Sequence, residues 1–575
     1  MERKQFVMSA AAAVPRPPVP AWARRFYKAS TTIERTSLAL LLGLLTVSGV
    51  WSLINFLHTH TEVVPERGGI YREAAVGQPR HLNPILASAN DLDLDISRLV
   101  YTGLFRYNAE LKLENDLAQD VAVSEDRRQY TITLRDNVQW HDGQPLTAND
   151  VVFTIRSIQT PGYGSPLART FEGVKVEKKD DRTIVFTLPE PYVPFLSSLT
   201  IGIVPEHVWA DIEPQNATLA EQILKPVGTG PFKFADITTR RKTGDITNFR
   251  LVRNDNYYGS APYLNEINFT FFSTNMEAVQ ALAAGSVDGL GFLPLQLADQ
   301  ADRHSITIHR LLLPQYFAVF FNQQKNEVLN DSGVRAALSL AVDRSALVTE
   351  ALQGEGEPLH LPIPPGVLDI TAPATAETTN VTVAEQNLDD AGWQKGEDGI
   401  RTKDGKRLAF KLSTTDWPEY VRTAEIIQQQ LRGIGVEVTL EHLAAGTIQQ
   451  TIIQPREYEA LLFGNVLPAD PDPYPFWHST QTRSPGLNLA LFKNQTVDRL
   501  LEEGRKESDP ETRAEKYREF QNKILELHPA IILYRPYYLF ATRGVRSVTV
   551  HYAAHPAGRF NQVEQWHFKT KRVWK

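Results

Sequence analysis

Residues 130–156 read YTITLRDNVQWHDGQPLTANDVVFTIR, a strand, a turn and a helix in succession. Tyr130, Ile132 and Leu134 alternate with Thr131, Thr133 and Arg135, the period of a half-buried strand. Asp142-Gly143 marks a turn, because glycine tolerates the positive φ such turns need. Thr147 and Asp150 have the spacing of a capping box, a hydroxyl for the first helical N–H groups and a carboxylate three residues on. Val151, Val152 and Ile155 then open an apolar helix face. Physically this is one α/β unit.

Further segments carry their own punctuation. HLNPILA stands at 81–87, VPEHVW at 204–209 and PVGTGPF at 226–232. NDNYYGSAPYLNEINFTFF spans 254–272, a helix is expected from Val334 to Arg344, and AEQNLDDAGW runs from 384 to 393. Together with residues 134–153, these segments resemble the motifs of the peptide-binding family of ABC-transporter solute-binding proteins (peptide/nickel-binding, family 5). That family carries "LR-x-x-V-x-F-H-D-G-x-P-L-T-A-x-D-V-V-F". The resemblance covers roughly residues 68–545.

A chain of 575 residues is too long for one core, so two or more domains are expected. Net charge −7 and pI near 6.1 give no electrostatic case for nucleic acid. With no cysteine there is no disulfide, no thiolate metal site and no cysteine nucleophile. The lipid-modified cysteine that tethers many members of the resembled family is also missing.

Ser37–Leu57, SLALLLGLLTVSGVWSLINFL, carries no charge and at about 1.5 Å per residue spans roughly 30 Å, the hydrocarbon thickness of a bilayer. Arg3, Lys4, Arg16, Arg24, Arg25, Lys28 and Arg35 precede it, against Glu2 and Glu34. This bias places the N-terminus in the cytoplasm and the remainder outside. The reading is an uncleaved single-pass anchor behind a disordered tail (1–36). The rival is a cleaved signal peptide, but no small-x-small site follows Leu57. Thr59–Arg67 reads as a polar tether.

Enzyme signatures do not emerge: there is no G-x-S-x-G, H-E-x-x-H or P-loop. Gly228-Thr229-Gly230 is a turn, His141-Asp142 an exposed turn, and His58/His60 a solvated pair. The binding candidate is Ala460–Thr480, ALLFGNVLPADPDPYPFWHST, an apolar strand running into a loop with Asp470, Asp472 and Trp477. In the resembled family a segment "AD-x-x-DP-x-x-F" carries the acid that pairs with the ligand's α-ammonium, since an ammonium leaving water needs an opposite charge. The resemblance implies Asp470 or Asp472 for that role, with Asp472 alternatively a turn residue. It also places Asn322, Trp417, Asn465 and Trp477 around the cleft, where aromatic surface suits tolerant side-chain pockets; core packing is the alternative for each aromatic.

The implied fold is α/β: a two-lobed periplasmic-binding-protein-like architecture (type II, peptide-binding class) with an inserted subdomain, preceded by one transmembrane helix. The expected divisions are lobe I over 65–309 with the subdomain at 99–205, lobe II over 310–540, and a return to lobe I over 541–575. The implied function is extracytoplasmic capture of a peptide and its delivery to an ABC permease with its ATPase subunits, by a monomer without cofactor or catalytic activity. Alternatives are another solute (a nickel chelate, haem or an oligosaccharide), a membrane-tethered peptide sensor, or a peptide hydrolase.

Overall fold

The strand at Gln129–Leu134 and the helix at Ala148–Gln159 form where residues 130–156 place them. In this computed structural model, residues 20, 21, 25, 28–88, 90–301, 304–368, 370 and 379–575 are described. Most of the tail expected over 1–36 lies outside them, as do residues 369 and 371–378 of the stretch 361–382, whose Pro, Thr and Ala content reads as an intervening loop. The capping box is present: Thr147 N donates to Asp150 Oδ2 at 2.8 Å. The other oxygen of Asp150 accepts Glu206 N at 2.9 Å, so one buried carboxylate starts this helix and pins the next segment. His141 is not exposed. It is half-buried, accepts Gly228 N on Nδ1 and donates from Nε2 to Gly230 O. The HDG turn therefore docks on the GTG turn. Only glycine fits at 228, where a Cβ would fall 1.9 Å from Val100 O. The sequence signature is thus a structural clasp.

Residues 118–134 and 175–187 each form a hairpin. Ala118–Val123, Gln129–Leu134, Thr183–Thr187 and Lys175–Lys178 form, in that order, one antiparallel four-stranded sheet. The helix expected over Val334–Arg344 is two, Ser332–Ala341 and Arg344–Ala351. The break comes at Val342-Asp343 because Asp343 takes an extended conformation and caps the second helix through Ser345 N and Ala346 N.

Two larger sheets organise residues 67–569. A seven-stranded sheet runs Ile306–Leu311, Tyr538–Arg543, Gly289–Leu290, Ile70–Val76, Glu266–Phe272, Ile246–Arg253, Phe232–Thr239. A six-stranded sheet runs Gly356–Pro358, Ala530–Pro536, Gln315–Phe321, Ala460–Val466, Ala409–Thr415, Glu437–Leu443. The chain changes sheet within Leu312–Pro314 and again at Tyr537. These crossings are neighbours, since Leu311 pairs with Tyr538 in one sheet and Phe317 with Tyr534 in the other. Two short, adjacent connections between separately cored sheets are the geometry of a hinge. Arg559 locks the far C-terminal segment to the first sheet: it bonds Glu73 at 2.9 Å and Asp95 at 2.6 Å, all three side chains buried.

A separate small unit comprises the helix Thr32–His60, the strand Thr61–Glu66 and residues 570–575. The helix is long and apolar enough to cross a membrane, and none of that apolar stretch is buried. The tether expected over 59–67 is instead a strand, paired with Lys569–Trp574. The β-branched Val63, Val64 and Val573 suit an extended ribbon, but its partner strands are too far apart in sequence for a local pattern to show the pairing.

Candidate functional site

Ala460–Val466 is an interior strand, antiparallel to Gln315–Phe321 and parallel to Ala409–Thr415. It leaves the sheet where Leu467 N donates to Pro314 O at 2.7 Å, beside the first crossing. The loop from Leu467 to Pro473 therefore projects from the hinge end of the sheet, and it carries both aspartates. Tyr474–Trp477, expected as loop, is a short helix.

Asp470 receives Arg513 Nη1 on Oδ1 at 2.7 Å, and Arg513 also donates to Pro471 O at 3.0 Å. About a quarter of the Asp470 side chain is open. Burial pushes its carboxyl above the ordinary range, and Arg513 opposes that shift. Asp472 is closed in. It accepts Arg505 Nη2 at 2.6 Å and the Tyr192 hydroxyl at 3.2 Å on one oxygen, and Tyr474 N at 3.2 Å on the other. The Arg505 guanidinium lies 5.0 Å from the Tyr192 ring centre and 4.2 Å from that of Tyr474, within cation–π range. Burial, then Asp472, push the Tyr192 phenol far up, which keeps it a donor.

These contacts join the two halves of the molecule. Tyr192 follows the four-stranded sheet, whereas Asp472 and the helix Gln495–Lys506 belong with the six-stranded sheet. Val193 N donates to Arg505 O at 3.0 Å and Lys506 pairs with Glu190 at 2.8 Å. The lobes are therefore latched together. Beside the latch lies a cavity of about 820 Å³ whose walls include Tyr107, Tyr192, Ala469, Asp472, Arg505 and His555. Burial holds the His555 imidazole near 3, neutral at physiological pH.

The other candidates are dispersed. Asn465 and Trp477 meet on one atom, the buried Tyr316 hydroxyl, at 2.8 and 3.1 Å. Both are part of the core of the second lobe. Asn322 sits at the opposite end of its strand, since Gln315 pairs with Val466 but Phe321 with Ala460. Seven residues at about 3.4 Å each put it about 24 Å along the strand from the end that leads into the aspartate loop. Its side chain bonds Arg456 O and Gln324 N, so it closes a turn. Trp417 is half exposed at the start of the helix Pro418–Gly433. It helps to line a second cavity of about 230 Å³ with Phe292, Phe317, Tyr420, Tyr534 and Tyr538. This chamber also spans both lobes, and Gln296 donates across it to Glu419 at 2.7 Å. Tyr192, Arg505 and Arg513 were missed in the sequence. Each lies in a segment whose local pattern reads as ordinary helix or loop, and only the fold brings them to the aspartates.

Two lobes joined by adjacent crossings and latched beside a half-open cavity between them are the arrangement of a ligand-capturing class of protein. Comparison with known proteins agrees. Residues 112–486 match the family described as bacterial extracellular solute-binding proteins, family 5 Middle. The oligopeptide-binding protein AppA of Bacillus subtilis (strain 168) is 29% identical over 516 residues, 87% of this chain and 92% of that protein. Protein XP55 of Streptomyces lividans is 32% identical over 464 residues, 78% of this chain and 80% of its own. Among solved structures, AppA in complex with a nonapeptide gives a TM-score of 0.69 at 28% identity, covering 88% of this chain and 100% of that one. NikZ from Campylobacter jejuni, in complex with Ni(L-His), gives 0.70 at 27%, covering 87% and 99%. This chain belongs to family 5 of the bacterial extracellular solute-binding proteins, and its fold is the two-lobed α/β architecture of that family.

Proposed function

We propose that this protein captures peptides outside the cytoplasm and passes them to an ABC permease. The observation that carries the reading is the latched cavity of about 820 Å³ at the aspartate loop, a size within the range of small-ligand sites. The similarity to a protein whose structure holds a nonapeptide supports a peptide as occupant. Asp470, steadied by Arg513 and partly open, is assigned as the acid for the ligand's ammonium; it stands next to the cavity wall, which Ala469 and Asp472 line. Asp472 serves closure instead, because its oxygens are already taken by Arg505, Tyr192 and the backbone of Tyr474. The Trp417 chamber accepts a large apolar side chain.

We place the lobe boundaries at Leu312–Pro314 and Tyr537, where the chain changes sheet, with residues 538–569 returning to the first lobe. The helix Thr32–His60 is read as an uncleaved anchor with its N-terminus in the cytoplasm, on the strength of the basic residues before it. The binding part works as a monomer. Mass spectrometry of ligands co-purified with the protein tests the function: peptides are expected, and a metal chelate or a sugar as sole ligand overturns it.

A further inference from the structure

The helix Thr32–His60 passes into the strand Thr61–Glu66 without a linker. Thr61 N, at the helix C-cap, still donates to Leu57 O. The strand pairing with it, Lys569–Trp574, arrives from the other end of the sequence. Lys575 N donates to His60 O at 3.0 Å. Arg572 Nη1 donates to Thr61 Oγ1 at 2.9 Å, across 511 residues of chain. The Trp574 ring sits edge-on to Phe56, 6.2 Å between centres. The end of the returning strand is thus fixed at the end of the apolar helix.

Its composition is basic and aromatic. KTKRVWK at 569–575 holds four cations and a tryptophan, against Glu62 and Glu66 on the paired strand. Lys569, Lys571 and Lys575 are exposed and make no ion pair among the described residues. Trp574 is 66% exposed, a large apolar surface left in water unless something covers it.

We propose that the ribbon Thr61–Glu66/Lys569–Trp574 is a lipid-binding collar whose occupant is an anionic bilayer surface. The proposal rests on the anchor reading of Thr32–His60. With that helix inserted, Phe56 lies at the edge of the hydrocarbon, and the ring packed on it, Trp574, falls at the headgroup level that tryptophan favours. Lys571, Arg572 and Lys575 then stand where lipid phosphates are, and cations close to such a surface are attracted to it within a Debye length. The orientation of the anchor is not disturbed, because that bias counts cations near the span in sequence.

The test uses the full chain in nanodiscs of phosphatidylcholine alone or mixed with phosphatidylglycerol, with backbone hydrogen exchange read over 61–66 and 569–575. Exchange is expected to slow by about tenfold or more when the anionic lipid is present. The double variant Lys571→Gln/Lys575→Gln, which breaks no bond within the ribbon, should lose most of that slowing. Equal exchange in both lipids, or a double variant that behaves as the parent, overturns the proposal. So does slowing that needs native cell membranes and is absent with pure lipids, which would mark a protein partner. Sequencing the N-terminus of the cell-derived protein tests the anchor separately. If it starts beyond Leu57, the anchor reading fails, and sedimentation of that shorter chain with vesicles decides the collar: binding to phosphatidylglycerol but not phosphatidylcholine supports it, and no binding overturns it.

Discussion

Asp470 and Asp472 are two residues apart, and the different roles proposed for them come from what faces each: Arg513 on Asp470, Arg505 and Tyr192 on Asp472. Replacing Asp470 by Asn keeps the shape and removes the charge, so an amine-terminated peptide should bind at least tenfold more weakly, as for about half the cost of breaking a buried ion pair. An N-acetylated peptide should bind the parent poorly and discriminate little between parent and variant. Calorimetry with both peptides checks this; normal binding to Asp470→Asn removes the residue from the site. Since burial raises the Asp470 carboxyl, affinity for an amine should fade on acidification sooner than an ordinary carboxylate would allow. Arg505→Met strands Asp472 in the closed form, so ligand should dissociate faster while the ligand-free melting temperature moves little. The aspartates were legible because they sit in a quoted motif. Their partners were not, because Tyr192 and Arg505 lie 280 and 33 residues from Asp472 along the chain, and Arg513 is likewise remote in sequence from Asp470.

At the level of elements, residues 130–156 fold as their periodicity and capping box dictate, and the HDG turn docks on the GTG turn as a structural contact. Gly228→Ala should be severely destabilising, since its Cβ would overlap the backbone carbonyl of Val100, which cannot swing aside as a flexible side chain would. Thermal unfolding checks it; a normal melting temperature would contradict the clasp. His141 is held near 4 by burial, below the usual 6.5. A base whose folded pKa is depressed takes up protons more readily when unfolded, so stability from this clasp is complete above about pH 6.5 and is lost on acidification towards pH 4. His141→Gln should flatten that part of the stability curve, though His309, His360 and His555 are depressed as well and will keep some slope. The elements that sequence misread have two causes, one long-range and one local. Thr61–Glu66 and Lys569–Trp574 form a strand pair only with each other, and the break at Val342-Asp343 depends on a cap that a run of helix formers hides.

The two-lobed plan was legible as a whole because its motifs are spread along most of the chain, whereas its hinge was placed only by seeing which strands share a sheet. Buried Arg559 ties the end of the chain to the strand and helix that open the first lobe. Arg559→Met leaves Glu73 and Asp95 unpaired in the core and should cost about 3–5 kcal/mol, read as a lowered denaturant midpoint. Peptide capture as proposed requires the ligand to be held between lobes that close over it. Small-angle scattering of a soluble form lacking the apolar helix, stripped of ligand and then refilled with its co-purified peptide, measures that directly. The radius of gyration is predicted to fall on refilling as the Tyr192–Arg505 latch forms, and to fall less in Arg505→Met. Superimposable profiles with and without saturating peptide would contradict closure around a ligand.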